Sequence, residues 1–313
     1  MTEAASGILA LEEIARNPPD VILLDLMMPK MDGFEVCRRL KTNLKTAHIP
    51  VLMVTALSER EERLTGIRAG ANDFLTKPVD IQDLTLRVGN AVYAKRLRDH
   101  LQVEMERSEM LLLNILPRPI AERMKNGETT IADSFPDVTV LEADLVGFTT
   151  LASHIGPEQV VNFLNEIFSA FDLLIEKHGL EKIKTIGDGC MVVGDLSISC
   201  PNHAEASAKL ALDMQAEIVR LNQEYETSVL LRIGICTGPV VAGVIGRNRF
   251  AYDLWGETVN LACRLESAGE PGRIQIAEST YERLKNKYQF KPKHALEAKG
   301  HNNASAYWLD KPE

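Results

Sequence analysis

Apolar and polar positions alternate in blocks along the first eighty-odd residues. Leu9–Asn17 has helical spacing and stops at Pro18-Pro19. Val21–Leu24 is a continuous apolar run, which predicts a buried strand ending on Asp25 and then the loop Leu26-Met27-Met28-Pro29-Lys30-Met31-Asp32-Gly33. A helix over Phe34–Lys41, a strand over Pro50–Val54 ending on Thr55, and a helix over Glu59–Ala69 follow. A strand over Asp73–Leu75, ending on Thr76-Lys77-Pro78, completes the alternation. Such alternation predicts a parallel sheet whose carboxyl edge carries Asp25, Thr55 and Lys77.

From Asp83 to Leu116 only Gly89 interrupts an otherwise unbroken helical stretch. Leu101, Met105, Ser108, Leu112 and Ile115 are spaced alternately by four and three, a heptad seam about two repeats long. It reads either as a helix lying on a domain surface or as a short parallel coiled coil. Pro117 and Pro119 break the helix, which resumes over Ile120–Lys125.

The pattern then changes. Val138 to Ala143 reads as a buried strand ending on Asp144, followed by a turn at Gly147 and a helix start at Phe148-Thr149-Thr150. Within Lys182–Val193, two apolar strands flank Gly187-Asp188-Gly189, a hairpin with a second carboxylate at its tip. Gln159–His178 and His203–Glu224 are long amphipathic helices, and Leu230–Thr237 is a strand. Phe250–Leu254 reads as a short strand, and a helix starts at Glu257 after the turn Trp255-Gly256. Asn260 and Arg264 lie four apart on it and share a face, while Thr258, Val259, Leu261, Ala262 and Leu265 are set aside for packing. Taken singly, an Asp in a Gly-Asp-Gly turn is a good turn residue, and an Asn/Arg pair is an ordinary solvated face. Two carboxylates at strand ends, one of them beside a helix N-terminus, suit divalent metals and a polyphosphate.

With 313 residues there is room for two domains, and the net charge of -9 opposes a nucleic-acid surface. The five cysteines, Cys37, Cys190, Cys200, Cys236 and Cys263, show no CxxC spacing, so neither a disulfide framework nor a zinc site is expected. No apolar run is long enough for membrane insertion, and a cytoplasmic location is expected.

Residues 1–90, with Asp25, the MMPKMDG loop, Thr55 and Lys77-Pro78, resemble the receiver domain of bacterial response regulators. The resemblance implies Asp25 as phosphoacceptor, Thr55 and Lys77 as the switch residues that meet the phosphoryl group, and an upstream histidine kinase as partner. A receiver ordinarily opens with a strand bearing an acidic, Mg²⁺-binding pair, which has no counterpart here. The chain is therefore expected to be a fragment with an incomplete doubly wound parallel sheet, and Asp25 is expected to take up little phosphoryl. Residues 91–134 are expected to form a helical linker or short coiled coil.

Residues 135–313, through VTVLEADLVGFT, KIKTIGDGCMVV and FAYDLWGETVNLACRLE, resemble the catalytic domain of class III nucleotide cyclases. An α+β ferredoxin-like fold with helices on one face is implied. Carried over by position, the resemblance implies that Asp144 and Asp188, with the Leu145 carbonyl, bind two Mg²⁺ or Mn²⁺ ions. Gly147, Phe148 and Thr149 would hold phosphate, and Lys299 the terminal phosphates, although His301-Asn302 stands where the family has a second Lys-Gly. Lys184 and Asp253 would read the purine, Asn260 would orient the ribose, and Arg264 would meet charge on the α-phosphate. Glu142 departs from the family's usual aromatic residue. Lys184 and Asp253 match the hydrogen-bond polarity of adenine, which implies an adenylate cyclase acting on ATP as a homodimer with composite sites. A guanylate cyclase and a cyclase-like dimer without turnover are the alternatives.

Overall fold

In the computed structural model, residues 1–56, 60–246, 250–296 and 304–310 are described. The chain forms two compact units, Met1–Leu111 and Leu112–Glu313.

The first unit runs α1 (Gly7–Arg16), β1 (Ile22–Asp25), α2 (Gly33–Thr42), β2 (Val51–Thr55), α3 (Arg60–Arg68), β3 (Asp73–Thr76) and then α4 (Ile81–Leu113). Its three strands form a parallel sheet in the order β1-β2-β3, with Leu24 opposite Met53 and Met53 opposite Phe74. The Asp32 side chain caps α2 by accepting from Glu35 N at 2.7 Å. Gly33 follows it because a Cβ there would lie 2.4 Å from the Asp25 carbonyl, so this loop closes tightly under the strand end. Val36, Cys37 and Leu40 of α2 pack with Ile49, Val51 and Met53. The expected seam is exposed at Leu101 and Met105 on α4 and at Ile115 just after it, whereas Leu112 packs partly into the core of the second unit.

The second unit continues with α5 (Arg118–Lys125), β4 (Ala132–Val146), α6 (Phe148–Ala152), α7 (Pro157–Lys177), β5 (Glu181–Ile186), β6 (Gly189–Gly194) and α8 (His203–Tyr225). Then come β7 (Leu230–Ile245), β8 (Ala251–Trp255), α9 (Glu257–Ser267), β9 (Ile274–Ala277), α10 (Glu278–Leu284), β10 (Phe290–Leu296) and β11 (Ala304–Leu309). The sheet order is β10-β11-β9-β7-β4-β6-β5, with β8 joined to β7. Two strands are much longer than their apolar runs. β4 extends back past Pro136 because a register shift between Phe135 and Val138 absorbs the proline. β7 passes Gly238-Pro239 and continues to Ile245, pairing with β8.

Alternation along β4 builds two cores. Leu141, Ala143 and Leu145 face α7 and α8, packing with Phe163, Ile167, Phe171, Ala208, Met214 and Ile218. Val138 and Val140 point the other way and pack with Val259, Ala262 and Leu265 of α9 and Ile120 of α5. Helices therefore cover both faces of the sheet, where one face alone was expected. Gly234 is the reason α9 can lie so close: a Cβ there would sit 2.3 Å from both the Ala262 carbonyl and Glu266 N. On the first face a buried hydroxyl chain crosses the strands. His203 Nδ1 lies 2.7 Å from Thr139 Oγ1, which is 2.8 Å from Thr237 Oγ1, itself 3.0 Å from Thr280 Oγ1. Burial holds the His203 imidazole below its ordinary pKa.

Candidate active site

Asp144 stands near the end of β4, opposite Gly189 on β6 and Arg232 on β7. Asp188 occupies the tight turn between β5 and β6, where Gly187 supplies a φ of 62°. Leu145 N donates to the Asp188 carbonyl at 3.3 Å, so the turn is stitched to the strand carrying the first carboxylate. A Cβ on Gly189 would meet the Ala143 carbonyl at 2.6 Å and Asp144 Oδ1 at 3.3 Å, and glycine lets the two ends close up. Burial first, then Asp188 and Glu266, push the Asp144 carboxyl above its ordinary range, with Arg232 opposing them.

This donor set fits a hard divalent cation. Two carboxylates crowd one strand end, and their mutual repulsion is relieved by positive charge. No group of three or more His, Cys, Asp or Glu side chains suited to a metal occurs among the described residues. That composition suits Mg²⁺ or Mn²⁺, which keep water and substrate phosphate oxygens in their shells. The Leu145 side chain is buried in the core, so only its backbone can contribute. Gly147, with φ 91°, turns the chain into α6 beside the carboxylates, and the first-turn amides of a helix lack intrahelical acceptors. Phe148 is committed to the core, Thr149 is exposed, and both can offer backbone amides.

The expected purine pair is assembled. Lys184 Nζ on β5 lies 2.5 Å from Asp253 Oδ2 on β8. Asn260 and Arg264 are both exposed on one face of α9, and Arg264 Nε donates to the Asn260 carbonyl at 3.3 Å. Thr258, Val259, Ala262 and Leu265 are buried behind them, and Leu261 is half-buried. Among the described residues no ion pair joins Lys184, Asp253 or Arg264 to Asp144 or Asp188. Lys299 lies outside the described residues.

The sequence profile of the adenylate and guanylate cyclase catalytic domain matches residues 131–311, more than half of the chain. The chain belongs to this cyclase family. A response regulator receiver domain profile matches residues 1–89. An adenylate cyclase of Mycobacterium tuberculosis is 45% identical over 210 residues, 67% of this chain and 47% of that protein. Guanylate cyclase soluble subunit beta-2 of Rattus norvegicus is 37% identical over 215 residues, covering 68% of this chain and 32% of its own. The chain thus spans about half the length, or less, of these curated relatives. The crystal structure of the adenylyl cyclase CyaB from P. aeruginosa aligns with a TM-score of 0.55 at 29% identity, over 58% of this chain and 97% of that one.

Two further residues of the cyclase domain lie beside these side chains. Arg232 went unnoticed in the sequence, although a lone charge in the apolar strand Leu230–Ile235 was its signal. Its Nη2 lies 3.2 Å from Asp144 Oδ2 and its Nε 2.6 Å from Glu266 Oε1 on α9. Glu142 is buried two residues before Asp144, and burial pushes its carboxyl up to about 7. Cys263 Sγ donates to it at 3.4 Å.

The receiver domain gathers its three marked residues at the carboxyl edge of its sheet. Lys77 Nζ lies 2.5 Å from Asp25 Oδ2, and Met27 N donates to Asp25 Oδ1 at 3.2 Å. The lysine contact is the main reason the Asp25 carboxyl is held below its ordinary range. Thr55 ends β2, buried, and its carbonyl accepts from Lys77 N at 2.7 Å. No helix among the described residues is long and apolar enough to cross a membrane.

Proposed function

We propose that the chain is an adenylate cyclase that converts ATP to 3′,5′-cyclic AMP and pyrophosphate. The observation that carries this reading is the Lys184–Asp253 pair, an ammonium and a carboxylate held 2.5 Å apart. Adenine offers an acceptor at N1 beside a donor at its 6-amino group, and this pair answers both. Guanine presents the reverse polarity, and mispairing a buried polar group costs about 1–3 kcal/mol per contact.

The ribose 3′-hydroxyl attacks the α-phosphorus in line, and pyrophosphate departs. Divalent cations held by Asp144, Asp188 and the Leu145 carbonyl would supply Lewis acidity toward the attacking hydroxyl and the triphosphate. The chain's own groups do the rest. Asn260 orients the ribose, Arg264 meets the charge that grows on the α-phosphate, and the α6 turn at Gly147, Phe148 and Thr149 cradles phosphate oxygens. Arg232 sits close enough to Asp144 to add a cation beside the triphosphate. Lys299 is assigned to the terminal phosphates by its position in the family pattern alone.

The functional unit is a homodimer in which the carboxylates of one protomer face the purine pair, Asn260 and Arg264 of its partner. Asp25 stands at the phosphoacceptor position of the receiver but should take up little phosphoryl; Thr55 and Lys77 are its switch residues, a histidine kinase its upstream partner, and the cytoplasm its place of action. Chromatography of products formed from ATP and from GTP with Mn²⁺ tests the reading. Cyclic AMP in excess is expected, and cyclic GTP-derived product in excess or no turnover would overturn it.

A further inference from the structure

We infer that Glu266 is a positioning residue that sets the cation affinity of Asp144 by dividing Arg232 between two carboxylates. This rests on the assignment of Asp144 as a metal ligand. Arg232 Nη2 lies 3.2 Å from Asp144 Oδ2, so the arginine occupies one of the two oxygens that Asp144 could offer a divalent cation. A guanidinium and a divalent cation repel each other, and one must yield at that oxygen. Glu266 gives the guanidinium somewhere else to stay, holding its Nε at 2.6 Å.

Glu266 is a fixed anchor, not a mobile one. It is 8% exposed, and Ser267 Oγ donates to its second oxygen at 2.8 Å. Its backbone is pressed against the sheet at Gly234, where a Cβ would sit 2.3 Å from Glu266 N. The helix cannot follow the arginine. Arg232 therefore stays pinned through Nε and surrenders only Nη2 when a cation takes Asp144. Weakening the Glu266 pull leaves Arg232 settled on Asp144, and cations then compete less well for that carboxylate. Chemistry at saturating cation is spared, because the displaced arginine no longer opposes it.

The test uses the full chain without nucleotide and reads Mn²⁺ binding directly, from the electron paramagnetic resonance signal of free Mn²⁺. Glu266→Gln should weaken Mn²⁺ binding by about tenfold and leave kcat at saturating Mn²⁺ within about twofold, since one charge-assisted contact is lost. Arg232→Met combined with Glu266→Gln removes the competing guanidinium along with its anchor and should bind Mn²⁺ at least as tightly as the wild type. If Glu266→Gln does not fold, Ser267→Ala should loosen the anchor and weaken Mn²⁺ binding in the same direction by about threefold. Unchanged Mn²⁺ affinity in the folded single variant, or weakening that persists in the double variant, would overturn the inference. Asp144→Asn separates this from the underlying assignment: wild-type Mn²⁺ binding in that variant would refute the metal site itself.

Discussion

Lys184 and Asp253 lie 69 residues apart in sequence, on strands that do not pair, yet their side chains meet at 2.5 Å. Each satisfies the other in the absence of a base, so a purine enters by replacing one contact with two. On the proposed reading, the polarity of the pair is the selective element. Lys184→Glu with Asp253→Cys should lower ATP turnover and raise the GTP/ATP ratio of kcat/KM at least tenfold, the factor expected of about 1–3 kcal/mol at each contact. An unchanged ratio would mean that neither side chain faces the base.

Asp144→Asn and Asp188→Asn should each retain less than about 1% of turnover at saturating Mn²⁺ while remaining folded, because the amide offers no charge to a cation. Substantial activity in either, measured beside an unchanged circular dichroism spectrum, would end the two-carboxylate assignment.

Composite sites make a quantitative prediction about mixtures. Asp144→Asn and Asn260→Ala, each inactive alone, should on co-expression recover about a quarter of wild-type activity, because random pairing makes half the dimers mixed and each mixed dimer has one intact site. Sites built within single chains would leave the mixture as inactive as its parents.

Gly234 allows α9 to rest on β7 with backbone against backbone. Gly234→Ala should lift the helix that carries Asn260 and Arg264, destabilising the cyclase unit by about 1–3 kcal/mol in denaturant unfolding. Activity should fall more than stability alone accounts for. Full activity would show that the helix position is not critical.

The first core and the strand-end chemistry were legible in the sequence for one physical reason. Val138–Ala143 and Leu230–Thr237 are mostly apolar runs, interrupted by Glu142 and Arg232, and a buried strand announces itself that way. The far halves of β4 and β7 were not legible, because Pro136 and Gly238-Pro239 are local stop signals that sheet pairing overrides. β9, α10 and β10 were not separately resolved, since each is short and lacks a strong period. Within the site, motif residues such as Asp144 and Asn260 stood out through the resemblance to the cyclase family. Arg232 and Glu266 acquire meaning only through a contact across 34 residues, which no local pattern reports.

His203 supplies a test of the buried hydroxyl chain. Burial lowers its folded-state pKa below the value of about 6.5 in the unfolded chain, so below that pH the unfolded state binds the additional proton. The stability it contributes is intact above about 6.5 and is lost as pH falls toward the lower, folded-state value. Between about pH 7 and 5.5 the melting temperature of the wild-type cyclase unit should therefore drop more steeply than that of His203→Gln. Parallel curves would show that the imidazole is not held neutral by the fold.

The strand order divides the site between the middle of the sheet and its margin. Asp144 stands on β4, laddered on both sides, whereas among the described residues Lys184 stands on β5, which joins only β6, and Asp253 on β8, which joins only β7. Exchanging a marginal side chain disturbs one ladder at most, while shifting the central strand would unseat two. On the proposed reading the letter being read can change while the bond being made keeps its anchor, since the two are fixed in different parts of the fabric.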